Sequence, residues 1–378
     1  MTALTVVAYN VLFGDAILIC IPERSGQETV TRHVLIDVGN VVGGPEGSAD
    51  VFNSIFDDIE RRLDGRPIDL YVMTHEHMDH VRGLLHADSE GRQLPPIDYA
   101  WLTASAAPTY YKKFTEAKKQ RSLHLASYRR VQRIALQRGI LGVASVKAFL
   151  DNNNPSRTEN CVAFIRGIAR EKTSYVHRGF KPVAGENHPF SETEFSIWAP
   201  EHDTSSYYGR MRPVMEKRRG RKLAAPAGVD QRAFEALVEY ARTGLGDEML
   251  AIDRAANNTS VVFSIEWRGW RLLFCGDAEL RSWRTMEQNG QLRPVHFVKV
   301  GHHGSHNATP DEDMLKRIFP LRRRGDSWPR TALVSTCDEP YHGVPDHDTL
   351  ARLERRVDKL VRTDDVPPGE AVEIRFED

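Results

Sequence analysis

The sequence predicts an α+β protein with a four-layer αββα sandwich, in which two mixed sheets pack face to face and helices cover the outer surfaces. Two observations support this fold. Apolar runs typical of buried strands recur along the 378 residues. These runs alternate with helical patterns on both sides of the chain's midpoint. A chain of this length can bury a full core and allows one large domain or two modest ones. We predict a single domain over residues 1–378.

The first half of the chain begins with strands. Apolar runs within residues 4–22 and 33–39 indicate three successive strands. Apolar residues then recur at helical spacing, which predicts an amphipathic helix with Ser48 at its start and Gly65 at its end. The apolar run 68–73 follows as another strand.

The second half repeats this pattern. Residues 161–165 and 195–199 have the apolar composition of strands. Residues 260–275 predict a hairpin, with a turn at an Arg-Gly pair. Two further strands are expected at 295–300 and 332–337.

Two insertions interrupt the core pattern, at about residues 104–150 and about residues 203–255, and both have helical or loose character. Each carries a basic stretch, over residues 112–133 and 210–222 respectively. One interpretation is a solvated helix face. The other is a surface that contacts the phosphates of nucleic acid or of nucleotides.

Composition indicates more about the cellular environment of the protein than about its binding partner. The 51 basic and 52 acidic residues nearly cancel, so the net charge indicates no binding partner. No run of about 18 apolar residues is present, so no membrane association is expected. The first residues do not resemble a secretory signal. The four cysteines are far apart in sequence, which favours reduced thiols and a cytoplasmic location.

Residues 74–80, Thr-His-Glu-His-Met-Asp-His, hold three imidazoles and two carboxylates on a predicted loop after a strand. His75 and His77 are two positions apart and can turn onto one metal, while Asp79 and His80 can bind a second. Nitrogen and oxygen ligands at this density suit Zn, Mn or Fe. The alternative is a solvated polar loop, which is disfavoured because such closely spaced groups repel one another unless something binds them.

Further polar groups follow predicted strands in both halves of the chain. These groups are Phe13-Gly14-Asp15, Leu35-Ile36-Asp37, Asn258-Thr259-Ser260, Gly276-Asp277, His302-His303-Gly304-Ser305 and His342-Gly343-Val344-Pro345. Together with the motif at 74–80, this series resembles the ComEC-like branch of the metallo-β-lactamase superfamily. That branch includes a domain of DNA-uptake channels and many stand-alone hydrolases. Since these 378 residues contain no membrane channel, we expect a stand-alone hydrolase.

The resemblance implies a dinuclear site with two divalent metal ions, Zn or Mn. His75 and His77 would bind one metal, and Asp79 and His80 the other. Asp277 matches the carboxylate that bridges the two metals.

The resemblance leaves some ligands open. One of His302 and His303 matches the last histidine ligand, and the sequence does not decide between them. Asp37 is expected beneath the metals, where it would orient a ligand histidine, unless it is only a turn residue. Most of the superfamily has a further histidine where this chain has Asn257 and Asn258. We therefore expect Asn258 beside the metals and a first metal held by fewer protein ligands.

Asp79, His303 and His342 are the predicted catalytic residues. The expected donor of a proton to the leaving oxygen is His302, His303 or His342. For His342, a capping or packing role is the alternative.

The leading functional hypothesis is a metal-dependent phosphodiesterase that acts on nucleic acid or nucleotides. One alternative is a hydrolase of a non-nucleic ester, such as a phosphocholine ester or a lactone. Another is a non-catalytic subunit with protein partners in a multi-gene system.

Overall fold

The computed structural model describes residues 2–41, 50–208, 245–320, 328–337 and 343–378. Within these ranges the strands are β1 (Ala3–Tyr9), β2 (Ala16–Ser25), β3 (Glu28–Val38), β4 (Ile68–Met73), β5 (Ile97–Thr103), β6 (Ala169–Val176), β7 (Glu194–Ala199), β8 (Val262–Trp267), β9 (Trp270–Phe274), β10 (Phe297–Lys299), β11 (Thr331–Val334), β12 (Lys359–Arg362) and β13 (Ala371–Glu377).

These strands form two mixed sheets. The first has the order β13-β1-β2-β3-β4-β5-β6 and the second β12-β11-β10-β9-β8-β7. In the first sheet, β3 to β6 run parallel and the strands before them pair antiparallel. In the second, β9 to β12 run parallel and β7 to β9 pair antiparallel.

Helices occupy the outer surfaces and the insertion. They are Val51–Leu63, Met78–Ser89, Tyr110–Lys113, Thr115–Gln137, Ala144–Asn152, Pro155–Arg166, Leu245–Asn257, Leu280–Gln288, Glu312–Ile318 and His347–Glu354. Across the described ranges, no helix is both long and apolar enough to cross a membrane.

Three buried clusters separate four layers. Side chains of both sheets, such as Val6 and Phe263, interdigitate in the central cluster. A second cluster joins the first sheet to helices that include Val51–Leu63. A third joins the second sheet to helices that include Leu280–Gln288. The predicted α+β class with a four-layer αββα sandwich is therefore confirmed.

A separate apolar cluster holds the helices of the first insertion together. Val131 and Phe149 pack there with Ile252 from helix Leu245–Asn257. The Tyr128 hydroxyl donates to the carbonyl oxygen of Leu150 at 2.9 Å, so this tyrosine belongs to the small core. Helices from 110–152 thus pack against a helix from the predicted 203–255 insertion. Residues 209–244, which include the basic stretch 210–222, lie outside the described residues.

The strand prediction for Cys161–Ile165 is wrong, because these residues lie in helix Pro155–Arg166. The Asn154 side chain accepts hydrogen bonds from two backbone N–H groups at the helix start, and Pro155 follows as the first helical residue. Cys161, Val162 and Ile165 then share one buried face. A short apolar run fits either structure, and here the cap decides.

Two glycines allow the first loops to pass close to the helix Met78–Ser89. A Cβ atom on Gly39 would lie 2.4 Å from the backbone nitrogen of His80. One on Gly14 would lie 2.6 Å from the carbonyl oxygen of Asp79, at a φ of 153°. Both positions therefore require glycine, and both bring their neighbours, Asp15 and Asp37, toward the start of this helix.

Candidate metal centre

The predicted site residues gather where parallel strands of both sheets end. Asp37 lies near the end of β3, and Thr74 follows β4 directly. Asp277 lies three residues beyond β9, and His303 four beyond β10. Asp79 and His80 lie in the first turn of helix Met78–Ser89 and not on a loop.

Four of these side chains form one buried group: Asp79, His80, Asp277 and His303. One nitrogen or oxygen atom from each lies within 4.8 Å of the others. His80 Nε2 is 3.2 Å from Asp277 Oδ2, and His303 Nε2 is 3.4 Å from the same oxygen. His303 Nε2 is also 3.4 Å from Asp79 Oδ2. All four residues are at most 1% exposed.

The facing atoms of this group have no hydrogen-bond partner. Asp79 Oδ1, His80 Nε2, Asp277 Oδ2 and His303 Nε2 are all buried and make no hydrogen bond. Unpartnered buried polar atoms are costly unless a ligand satisfies them. Two carboxylate oxygens and two imidazole nitrogens suit Zn or Mn. The residues present therefore fit a divalent metal ion.

Contacts behind the ligands orient both histidines. His80 Nδ1 lies 2.8 Å from Asp37 Oδ2, which leaves Nε2 facing the group. Asp37 is fixed in turn, because it accepts from the backbone N–H and the hydroxyl of Thr74 at 2.8 and 2.6 Å. His303 Nδ1 lies 2.8 Å from the carbonyl oxygen of Ser335, which can only accept a hydrogen bond. Such contacts fix ring orientation and tautomer in metal sites.

Electrostatics in the group favour bound cations. Burial alone would lower the pKa of His80, but Asp277, Asp79 and Asp37 raise it well above its usual value. Burial alone would also lower the pKa of His303, but the charge of Asp277 outweighs this effect and raises that pKa to about 9. Without a metal, protons on these imidazoles balance the carboxylates. A metal cation would replace those protons.

Lys299 and Asp15 lie behind Asp277. The Lys299 side chain is 1% exposed, forms an ion pair with Asp15, and lies 3.6 Å from Asp277 Oδ1. Its ammonium group also donates to the carbonyl oxygen of Gly276 at 3.2 Å. Burial would lower the pKa of Lys299, but the two carboxylates raise it to about 12. The ammonium group therefore stays charged and holds Asp277 from behind.

His75 and His77 lie beside the group of four. Their rings are 4.7 Å apart, with His75 Nε2 3.1 Å from His77 Nδ1. The His75 ring centroid is 4.2 Å from that of His80. Burial and the charges of His80 and His77 hold the pKa of His75 well below its usual value, so this ring is neutral. His77 Nε2 is buried and has no hydrogen-bond partner.

Asn258 occupies a different place from the predicted one. Its Oδ1 accepts from the backbone N–H and hydroxyl of Ser282 at 3.1 and 3.0 Å. Its Nδ2 donates to the carbonyl oxygen of Arg254 at 2.7 Å. Asn258 thus links helix Leu245–Asn257 to helix Leu280–Gln288 and makes no such contact with the candidate metal ligands.

The two adjacent histidines turn apart. Both have left-handed backbones, with φ of 47° for His302 and 53° for His303. Such conformations are costly for non-glycine residues and are typical of functional sites. His303 joins the buried group, whereas His302 faces Asp253 and Glu279. His342 lies outside the described residues.

A cavity opens beside His77. It is lined by side chains of the segment 74–80 and of the helical insertion, among them Glu76, His77, Ser105, Tyr111, Arg121 and His124. Its volume of about 110 Å³ is below the few hundred Å³ of typical ligand pockets, so it suits part of a substrate. Because His77 lines this cavity, the cavity lies directly beside the candidate centre.

Several residues of the site were not predicted to take part, namely Asp15, Thr74, Asp253, Glu279, Lys299 and Ser335. Asp15 stood in a noted motif but was given no role. A lysine inside the apolar strand 295–300 is an unusual residue there, and that is the sequence signal for Lys299. Ser335 contributes a backbone carbonyl, for which sequence has no signal.

The similarity between this chain and known proteins is distant in sequence and in structure. No protein-family profile and no curated protein matches it. Among 32 matching chains of solved structures, a mutant of CmlA beta-hydroxylase aligns with a TM-score of 0.36 and 13% sequence identity. The alignment covers 98% of this chain and 54% of the other, so this chain spans about half of that protein's length. A likeness this distant assigns no substrate or chemistry.

Proposed function

We propose that this protein is a dinuclear metal-dependent hydrolase that cleaves phosphodiesters in nucleic acid or nucleotides. One observation carries the metal-dependent part. Four buried ligand atoms without hydrogen-bond partners lie close together, and they belong to Asp79, His80, Asp277 and His303, which come from three separate parts of the chain. Few structural roles explain such a group, because leaving these atoms unpartnered costs stability.

The two metals are proposed to share Asp277. Asp79, His80 and His303 would hold one metal, while His75 and His77 would hold the other. When bound, two such metals activate water as a nucleophile at neutral pH and neutralise charge on a substrate oxygen.

Residues of the chain orient the proposed metal ligands and exclude bulk water from the site. Asp37 and the Ser335 carbonyl hold the two ligand rings in place, so little reorganisation accompanies the reaction. The site is buried, which excludes bulk water and strengthens electrostatic interactions. With His303 turned into the metal group, His342 is the proposed donor of a proton to the leaving oxygen.

The cavity beside His77 is the proposed substrate site. The Arg121 guanidinium lies 4.6 Å from the Tyr111 ring centroid and 3.5 Å from a Glu159 oxygen on the cavity wall. Arg121 is the guanidinium that a phosphate in this cavity would meet, and the phosphate would compete with the Glu159 carboxylate for it. Lys112, Lys113, Lys118 and Lys119 are exposed on the same helical insertion and would extend this attraction.

A non-nucleic phosphodiester, such as a phosphocholine ester, is the second candidate. The small cavity favours it, as does the burial of Tyr110 and Tyr128, two tyrosines beside or within the basic stretch 112–133. Tyr110 and Tyr128 are 3% and 5% exposed, so neither offers a ring face on which a base could stack.

Substrate comparison tests the proposal. Metal-loaded protein should hydrolyse an aryl phosphodiester much faster than an aryl phosphomonoester or a lactone. Oligonucleotide cleavage should weaken steeply between about 50 and about 200 mM salt, because counterion release drives binding to the basic surface. A faster rate on the lactone would refute the phosphodiesterase assignment. Equal rates at both salt concentrations would favour the non-nucleic substrate.

A further inference from the structure

A second group of potential ligands lies outside the buried group of four. His302 Nε2 is 3.6 Å from Asp253 Oδ2, and His302 Nδ1 is 3.5 Å from Glu279 Oε1. One ligand atom from each of these three residues lies within 4.8 Å of the others. Their side chains are 18%, 20% and 4% exposed, so the group is screened but reachable from solvent.

The Asn257 amide points into this group. Its Nδ2 donates to Glu279 Oε1 at 3.0 Å and to Asp253 Oδ2 at 3.2 Å, and lies 3.4 Å from His302 Nδ1. Asn257 is fully buried, and its Oδ1 has no hydrogen-bond partner. The amide N–H groups offset the carboxylates in the absence of a cation. Turning the amide over would give the unpartnered oxygen to a cation at the same place.

We propose that Asp253, Glu279, His302 and Asn257 bind a further divalent cation. This group shares no residue with Asp79, His80, Asp277 and His303. The rings of His302 and His303 are 6.0 Å apart and inclined at 64°, so each serves a different group.

The ligand chemistry favours Mn²⁺. Two carboxylates and an amide oxygen suit a hard cation, whereas the imidazole suits a transition metal, and Mn²⁺ accepts both. Asn153, which lines the cavity beside His77, donates to Asp253 Oδ1 at 3.2 Å. The cation would therefore lie next to the cavity wall and add positive charge near a bound anion.

The opposing explanation is that these residues complete the coordination of the metal held by His75 and His77, where the superfamily has a histidine. Two single variants and their combination separate the two cases. Metal-free wild type, Asp253→Asn, His77→Ala and the double variant are titrated with Mn²⁺ alone, and free Mn²⁺ is followed by electron paramagnetic resonance. Asp313→Asn, an exposed carboxylate on another helix, is the matched control.

Each single variant should bind one Mn²⁺ fewer than wild type, and the double variant two fewer. If Asp253→Asn binds as many Mn²⁺ ions as wild type, the proposed site is refuted. A double variant that loses only as much as either single would show that the residues serve the first metal. Thermal melting in chelator tests the fold, and Glu279→Gln replaces Asp253→Asn if that variant unfolds. The readout is stoichiometry, so inactivity toward phosphodiesters would refute the proposed function and leave this inference standing.

Discussion

Replacing Asp277 with asparagine separates a metal ligand from a structural residue. The carboxylate is 1% exposed, with Oδ2 facing His80 and His303 and Oδ1 accepting from the backbone N–H of His302 at 3.2 Å. A capping role is excluded by position, since Glu279 occupies the cap of helix Leu280–Gln288. The amide keeps the shape of the side chain and one acceptor, and loses the charge.

The two consequences differ in size. If Asp277 holds both metals as proposed, loss of its charge should remove about 4 kcal/mol of transition-state stabilisation, which corresponds to about 10³-fold in rate. Metal-free protein should lose at most about 3 kcal/mol of unfolding free energy, because His80 and His303 can release their protons when the carboxylate is gone. The folded protein should therefore survive with little activity.

Three measurements on one preparation decide the outcome: phosphodiesterase rate, metal content by elemental analysis, and urea unfolding in chelator. Asp69→Asn is the matched control. Asp69 is also buried, but it accepts from Arg32 and from the backbone of His33, away from the centre. The control should lose stability and keep metal and rate. Wild-type metal content and rate in Asp277→Asn would refute the dinuclear assignment.

Two further variants test the surroundings of the centre, and a third tests a buried histidine of β3 that lies away from it. Lys299→Met leaves Asp15 and Asp277 without their buried cation, so the metal-free protein should lose about 3–5 kcal/mol of unfolding free energy. Mn²⁺ should then raise the melting temperature of this variant more than that of wild type. An equal rise in both proteins would contradict this expectation. Burial, aided by the charge of Arg66, lowers the pKa of His33 from 6.5 to about 4. Between these two pH values the unfolded chain binds a proton that the native state does not bind. The free energy of unfolding should therefore fall as pH drops from about 6.5 to about 4, by at most about 3 kcal/mol. His33→Leu should flatten that part of the urea-unfolding profile, and an unchanged profile would contradict the assignment. Gly39→Ala would press a methyl group against the backbone of His80, so melting temperature and metal affinity should both fall, and retention of both would show that the loop yields freely.

The sequence predicted the layers well because apolar periodicity reports burial directly. The runs at 68–73 and 260–275 became β4 and the β8–β9 hairpin. It failed at Cys161–Ile165, where five apolar or small residues fit a strand and a helix equally and Asn154 decided the outcome. Strands β12 and β13 were not predicted. Both lie at sheet edges and bury few side chains, namely Val361 in β12 and Ile374 and Phe376 in β13, so neither presents a long apolar run.

The site was predictable in its residue types and not in its partners. Dense histidines and aspartates predicted a metal-binding loop before any contact was known. The choice between His302 and His303 depends on two left-handed backbone angles, which sequence does not specify. The ion pair of Lys299 with Asp15 joins residues far apart in the chain, so no local pattern reports it.

Anomalous diffraction from crystals soaked in Mn²⁺ tests the central claim most directly. Around Asp277 the account predicts two strong peaks at roughly 3.5–4 Å separation, one among Asp79, His80 and His303 and one beside His75 and His77, with Asp277 contacting both. These two peaks are in addition to the one expected at Asp253, Glu279 and His302. Absence of any peak within ligand distance of Asp277 would contradict the dinuclear centre and, with it, the proposed hydrolase.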